Sequence, residues 1–211
     1  MSASMVTPVE PIPFITRSAP FDSPEWLFEP LYDGHRAFLH LDAECHVVPA
    51  GEHSIPGLEE LEARLAAVAP RIGGAVLEGL VLSLDRQGAP LRGAAPGEGF
   101  PAFAAFDLPW LETDLRSYPL VHRRAALAGL LPTDTGPLFK IFALQEHGRA
   151  LFAAARRMDL DGVMARRLSD PYGRESVWYI IPNPAAGQRE AALDPFARRE
   201  PSRRHRRVPA E

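Results

Sequence analysis

The sequence predicts an α+β fold of antiparallel sheets flanked by helices. Three observations carry this. Short apolar segments bounded by turn residues recur along the chain and read as strands. A few segments instead place apolar residues at helical spacing on one face. The two kinds mix without the regular strand–helix–strand alternation of a parallel sheet. Composition agrees: 46% of the 211 residues are apolar, enough for one core.

The elements follow in order. Residues 1–22 are rich in proline and read as irregular. Leu27–Leu31 and Ala37–Leu41 read as strands around the turn Tyr32-Asp33-Gly34, and "CHVVPAGEHS" as a short strand and turn. Pro56 opens a helix, a position proline suits, with Leu58, Leu61, Leu65 and Val68 on one face. "GGAVLEGLVLSLDRQG" is a buried strand ending in a turn at Asp85–Gly88, "LRGAAPGEG" a loop and "PAFAAFDLPWL" a further strand. Pro119 starts a helix through Leu131, and Leu138–Ala143 is a strand. A helix over Glu146–Met158 turns Leu151, Phe152, Ala155 and Met158 inward. "DGVMARRLS" and "SVWYII" are the closing strands.

Composition also excludes several classes. No apolar run approaches the roughly 20 residues that span a bilayer, and the first 20 residues lack the pattern of a signal peptide. A single cysteine, Cys45, rules out an internal disulfide and a cysteine-cluster metal site. The expected location is the cytoplasm, or the nucleoid if the chain binds DNA. Residues 183–211 hold seven arginines and four acids, net +3, and the remainder is net −7. An acidic body is a poor general partner for nucleic acid. The candidates for contact with nucleic acid are therefore Arg198, Arg199, Arg203, Arg204, Arg206 and Arg207, in a tail expected to be disordered.

Four blocks carry a family resemblance: "FDSPEWLFEPLYDGHRAFLHL", "AVLEGLVLSLDRQGAP", "FAAFDLPWLETDLRSYPLVHRRAALAGLL" and "LFAAARRMDLDGVMARRLSDPYGRESVWYII". In this order and spacing they resemble the adenylation (nucleotidyltransferase, ATP-grasp-like) domain of bacterial ATP-dependent DNA ligases of the end-joining type. The resemblance covers residues 12–182, leaving 1–11 as an irregular lead and 183–211 as the Arg/Pro-rich tail. It implies a lysine that attacks the α-phosphate of ATP, cations that neutralise the phosphoryl oxygens, and carboxylates that hold Mg²⁺.

Residue by residue, much of that chemistry is missing. Leu31 stands at the nucleophile position, so no catalytic residue is intact. Ala50 replaces an arginine, Leu80 a ribose-facing glutamate, and Ile180 and Pro182 two phosphate-binding lysines. The remnants of the nucleotide pocket are Glu29, Asp33, Gly34, Arg36, Phe106, Asp107, Asp161 and Gly162. Phe106 is expected to stack on adenine with Glu29 near the base edge, and Asp161 is the one candidate metal ligand. Arg36 is expected to pair with an acid such as Glu29, and Asp33-Gly34 to serve a left-handed turn. The resemblance implies an OB-fold after the adenylation domain, and none is expected in residues 183–211.

No substitute nucleophile stands out. Tyr32 should point away from the face of residue 31. His35 reads as a solvated residue beyond the turn, and Lys140, the sole lysine, as an exposed strand residue. The expectation is a pseudo-ligase that requires no ATP, AMP or Mg²⁺. It would act as a binding or regulatory module in DNA repair and end joining, with DNA ends or a repair protein as partner. The alternatives are residual or altered activity, for instance on pre-adenylated ends, and a decayed gene product.

Overall fold

The computed structural model describes residues 12–42, 44–51, 54–69, 74–94, 98–132 and 136–186. Two sheets pack face to face, with helices on both outer faces. The first sheet has strand order β1-β11-β10-β2-β9, from β1 (Phe14–Thr16), β11 (Trp178–Pro182), β10 (Gly162–Arg167), β2 (Ser23–Leu31) and β9 (Leu144–Glu146). The second runs β4-β3-β5-β6-β7, from β4 (Cys45–Pro49), β3 (His35–Leu41), β5 (Ala75–Leu84), β6 (Phe100–Leu111) and β7 (Thr113–Asp114), with β8 (Leu138–Lys140) also on β6. The pairing is antiparallel except for β1 on β11 and β8 on β6.

Strand periodicity sorts the side chains into three apolar layers. From β2, Trp26 and Phe28 face α3 (Gly148–Arg157) and meet its Leu151 and Ala155. The alternate residue Leu31 faces the second sheet. From β5, Leu77 and Val81 face α1 (Leu58–Val68) and α2 (Leu120–Leu130), whereas Leu80, Leu82 and Leu84 face the first sheet. The layer between the sheets holds Leu31, Leu80, Phe106, Met164, Trp178 and Ile180. Among the described residues no helix is long and apolar enough to cross a membrane.

Several expected elements change. The Pro-rich lead contains β1, an edge strand held by a parallel partner more than 160 residues away, a pairing no local pattern announces. β2 begins at Ser23 rather than Leu27. The strand expected over Leu138–Ala143 stops at Lys140, and Leu144–Glu146 is a separate strand on β2. Glu146 has φ 73°, incompatible with the helix start placed there. The helix runs Gly148–Arg157 instead, and the chain turns at Asp159 (φ 54°). Met158 therefore swings outward and is 67% exposed rather than packed inward.

Gly34 is not left-handed either. What it supplies is close approach, since a Cβ there would lie 2.9 Å from the Val81 carbonyl oxygen. Gly162 needs both properties: its φ is 146°, and a Cβ would collide with the Ile181 carbonyl. Its part in the fold is to seat β10 on β11.

Candidate functional site

The positions that the resemblance assigns to the nucleotide do converge, at the interface of the two sheets. Leu31 ends β2, Leu80 lies mid-β5, Ile180 lies in β11 and Phe106 in β6. They are 4%, 2%, 4% and 0% exposed and share one apolar cluster with Ile12, Trp178 and Tyr172. Tyr32 packs against the same cluster, because strand alternation ends at Leu31. Pro182 is half-buried, opposite Gly162 at the strand end. Ala50, just past β4, donates its N–H to the Arg36 carbonyl at 3.0 Å.

Phe106 has no free face for a base. The Arg166 guanidinium lies 5.2 Å from its ring centroid, and Trp178 meets its edge at 5.7 Å. Arg166 donates from Nε to Glu29 at 2.9 Å, from Nη1 to Asp107 at 3.0 Å and from Nη2 to the Phe106 carbonyl at 2.8 Å. Arg123 grips Asp107 from Nε and Nη2 at 2.8 and 3.0 Å, and Arg124 stands 3.1 Å from Glu29. Glu29, Asp107, Arg123 and Arg166 are all buried. Burial works to raise the Asp107 pKa, but Arg123, Arg166 and the Leu108 N–H overcome it and hold the carboxyl below its ordinary value.

Arg36 pairs with Glu78 and not with Glu29, and its guanidinium stacks 4.8 Å from Trp178. Register explains the choice: Phe38 is opposite Glu78, so Arg36 is two residues along the same face. Burial pushes the Glu78 carboxyl up, and Arg36 offsets this in part. His35 is 7% exposed at the start of β3, not solvated. Lys140 is half-buried, with its ammonium on the Leu131 carbonyl at the end of α2.

At the mouth of the cleft, Asp33 accepts from the Gly93 N–H at 2.7 Å. Asp161, the candidate metal ligand, is paired with Arg92, which also reaches Asp159 at 3.5 Å. The cavity there, lined by Leu31, Asp33, Leu91, Arg92 and Asp161, measures about 230 Å³, below the roughly 300–1,000 Å³ of small-molecule sites. Among the described residues no three histidine, cysteine or carboxylate groups converge for a metal. The residues present do not fit Mg²⁺-ATP. A guanidinium lies on the Phe106 ring, Leu31, Leu80 and Ile180 are buried apolar core where the resemblance implies polar contacts, and Asp161, its candidate metal ligand, is paired with Arg92.

The arginines of this network were not singled out in the sequence, though a signal existed. Arg123 sits between Leu120 and Leu127 on the buried face of α2, and a charge on an apolar face implies a buried partner. Arg166 shares parity with Met164 in an apolar strand. The tail candidates Arg198, Arg199, Arg203, Arg204, Arg206 and Arg207 lie outside the described residues.

Against known proteins, the chain is 33% identical over 159 residues to the multifunctional non-homologous end joining protein LigD of Pseudomonas aeruginosa, covering 70% of this chain. The chain belongs to the LigD-like family of DNA ligase adenylation domains. It spans 19% of the length of that curated relative. The fold is that of the ligase domain of Mycobacterium tuberculosis LigD (TM-score 0.64, 23% identity, 80% of this chain and 58% of that one). A mycobacterial DNA ligase D complexed with ATP and MES is similar too (0.62, 24%, 80% and 60%). So is Chlorella virus DNA ligase-adenylate (0.51, 14%, 82% and 69%). No family model matches the LigD-like chain.

Proposed function

We propose that this LigD-like domain is a pseudo-ligase, a non-catalytic binding or regulatory module of DNA end joining that acts in the cytoplasm. One observation carries the reading. Leu31, Leu80 and Ile180, three positions at which the resemblance expects polar groups around one nucleotide, are buried together with Phe106 in a single apolar cluster. Independent drift at unrelated sites would not select neighbours. Placing a triphosphate there would strip its charges of water without counter-charge, at a cost of several kcal/mol per ion.

The expected result with labelled ATP and Mg²⁺ is no covalent adduct that survives denaturation, and no shift in melting temperature with ATP. Pre-adenylated nicks should remain unsealed as well, because that route still needs cations where Ile180 and Pro182 stand. A stable AMP adduct at any residue would overturn the proposal.

DNA, if it is the partner, meets the arginine-rich tail rather than the cleft. Such binding should be weak, indifferent to sequence and steeply salt-dependent, and it should vanish on deleting residues 197–211. Filter binding or fluorescence anisotropy at two salt concentrations measures it. Equal binding by the truncated chain would exclude the tail as the contact.

A further inference from the structure

Away from the cleft, the antiparallel pairing of β3 and β4 places His40 directly opposite His46. Opposed residues on antiparallel strands project from the same face with Cβ atoms about 4.5–5.5 Å apart. That spacing lets two imidazoles share one ion. Leu39, Leu41 and Val47 enter the core under α1, so the alternating His40 and His46 lie on the other face. The His46 side chain is 54% exposed and His40 is half-buried.

Acidic groups surround the pair. Glu44 Oε2 lies 2.8 Å from His46 Nε2, and Glu62 Oε1, from α1, lies 3.9 Å from His46 Nδ1. Asp42 and His46 both act electrostatically on His40, with opposite sign. Glu62 is already committed, accepting the Val47 N–H at 2.7 Å and holding the edge strand in place. Among the described residues the Glu44 carboxylate is held by His46, and it is 74% exposed, so it can turn about its side-chain bonds.

We propose that His40 and His46 form a binding site for one divalent first-row transition-metal ion, with Glu44 swinging in as the third ligand and water completing the shell. Imidazole is the ligand such ions favour, whereas Mg²⁺ prefers carboxylate and water. The swing is required, because the three donors do not yet converge. It costs little, because Glu44 exchanges one exposed hydrogen bond for a metal bond. Nδ1 of His46 faces Glu62, which would orient the ring and raise its basicity. A surface His–Glu pair contributes little to stability by itself and does not call for a second histidine across the strand. The site stands independently of the pseudo-ligase reading.

Isothermal titration of the full chain with ZnCl₂, and separately with MgCl₂, tests it. One saturable Zn²⁺ site per chain and no Mg²⁺ response is the expected outcome. His40→Gln and His46→Gln should each weaken Zn²⁺ by at least about tenfold, with unchanged circular dichroism in the absence of metal. Glu44→Gln should weaken it less, and His147→Ala and His205→Ala not at all. Absence of saturable Zn²⁺ binding overturns the proposal. So does full affinity in folded His40→Gln, or loss of the site in His205→Ala, which would move it to the tail.

Discussion

Leu31→Lys is expected to give a folded protein that still takes up no AMP. The lysine stem can follow the leucine through the core while its ammonium reaches the cavity lined by Asp33 and Asp161. Folding therefore survives, at a cost of about 1–3 kcal/mol in the range of ordinary destabilising substitutions, or roughly 2–12 °C in melting temperature for a chain of this size. Chemistry does not return, because Leu80 and Ile180 still fill the positions where the resemblance implies charged contacts to the nucleotide. Each absent charged contact to a transition state is worth about 3–4 kcal/mol, or roughly 10²–10³ in rate, and the losses need not add. Labelled AMP retained on the single variant, or nick sealing near the rate of an intact ligase, would show that the cleft is wrongly assigned.

Completing the set does not rescue it. Leu80→Glu, Ile180→Lys and Pro182→Lys on top of Leu31→Lys place two of the new charges at Leu80 and Ile180, 2% and 4% exposed, and a third at the half-buried Pro182. The effective penalty is several kcal/mol per buried ion, against a total stability of about 5–15 kcal/mol. The fourfold variant should lose its cooperative unfolding transition before it gains a nucleotide site.

How far the fold could be read in advance follows from which interactions were local. The buried strand from Ala75 and the helix faces of α1 and α2 announce themselves through periodicity and turn residues. β1 and β9 do not, because each is three residues long and exists through pairing with β11 and β2. The four motif blocks pointed to Leu31, Leu80 and Ile180, and these three share one buried apolar cluster. What filled it was harder to see. Sequence told that polar groups were gone, but not that Arg166 would lie on Phe106 or that Arg92 would reach Asp161. Those pairings join residues 60 and 69 positions apart. Met158 differs because the helical face was extended one residue past Arg157, where the helix ends just before the chain turns at Asp159.

Arg166→Met is expected to be strongly destabilising. Methionine can follow much of the arginine stem in the core, so the loss is chiefly electrostatic. It would leave Glu29 without its bond from Nε and Asp107 without its bond from Nη1, both fully buried. Arg123 and Arg124 would remain to hold one carboxylate each. Removing one partner of a buried ion network typically costs about 3–5 kcal/mol, because the surviving charge is uncompensated. Arg92→Ala, at a partly exposed pair, should cost under about 1 kcal/mol. The sign of the pH effect separates this account from simple loss of packing. In the wild type the folded Asp107 pKa lies below the unfolded value of about 3.9. Its contribution is therefore full above that value and lost as pH falls through the folded one. Without Arg166 the Asp107 carboxyl loses one of the charges that hold its pKa down and binds a proton more readily in the folded state, so acidification relieves the variant before it harms the wild type. Urea unfolding at pH 7.5 and pH 5 should show the difference between the two proteins shrinking at the lower pH. A gap that stays constant, or that never exceeds about 1 kcal/mol, would mean that the buried arginine is not what holds the two carboxylates in the sheet interface.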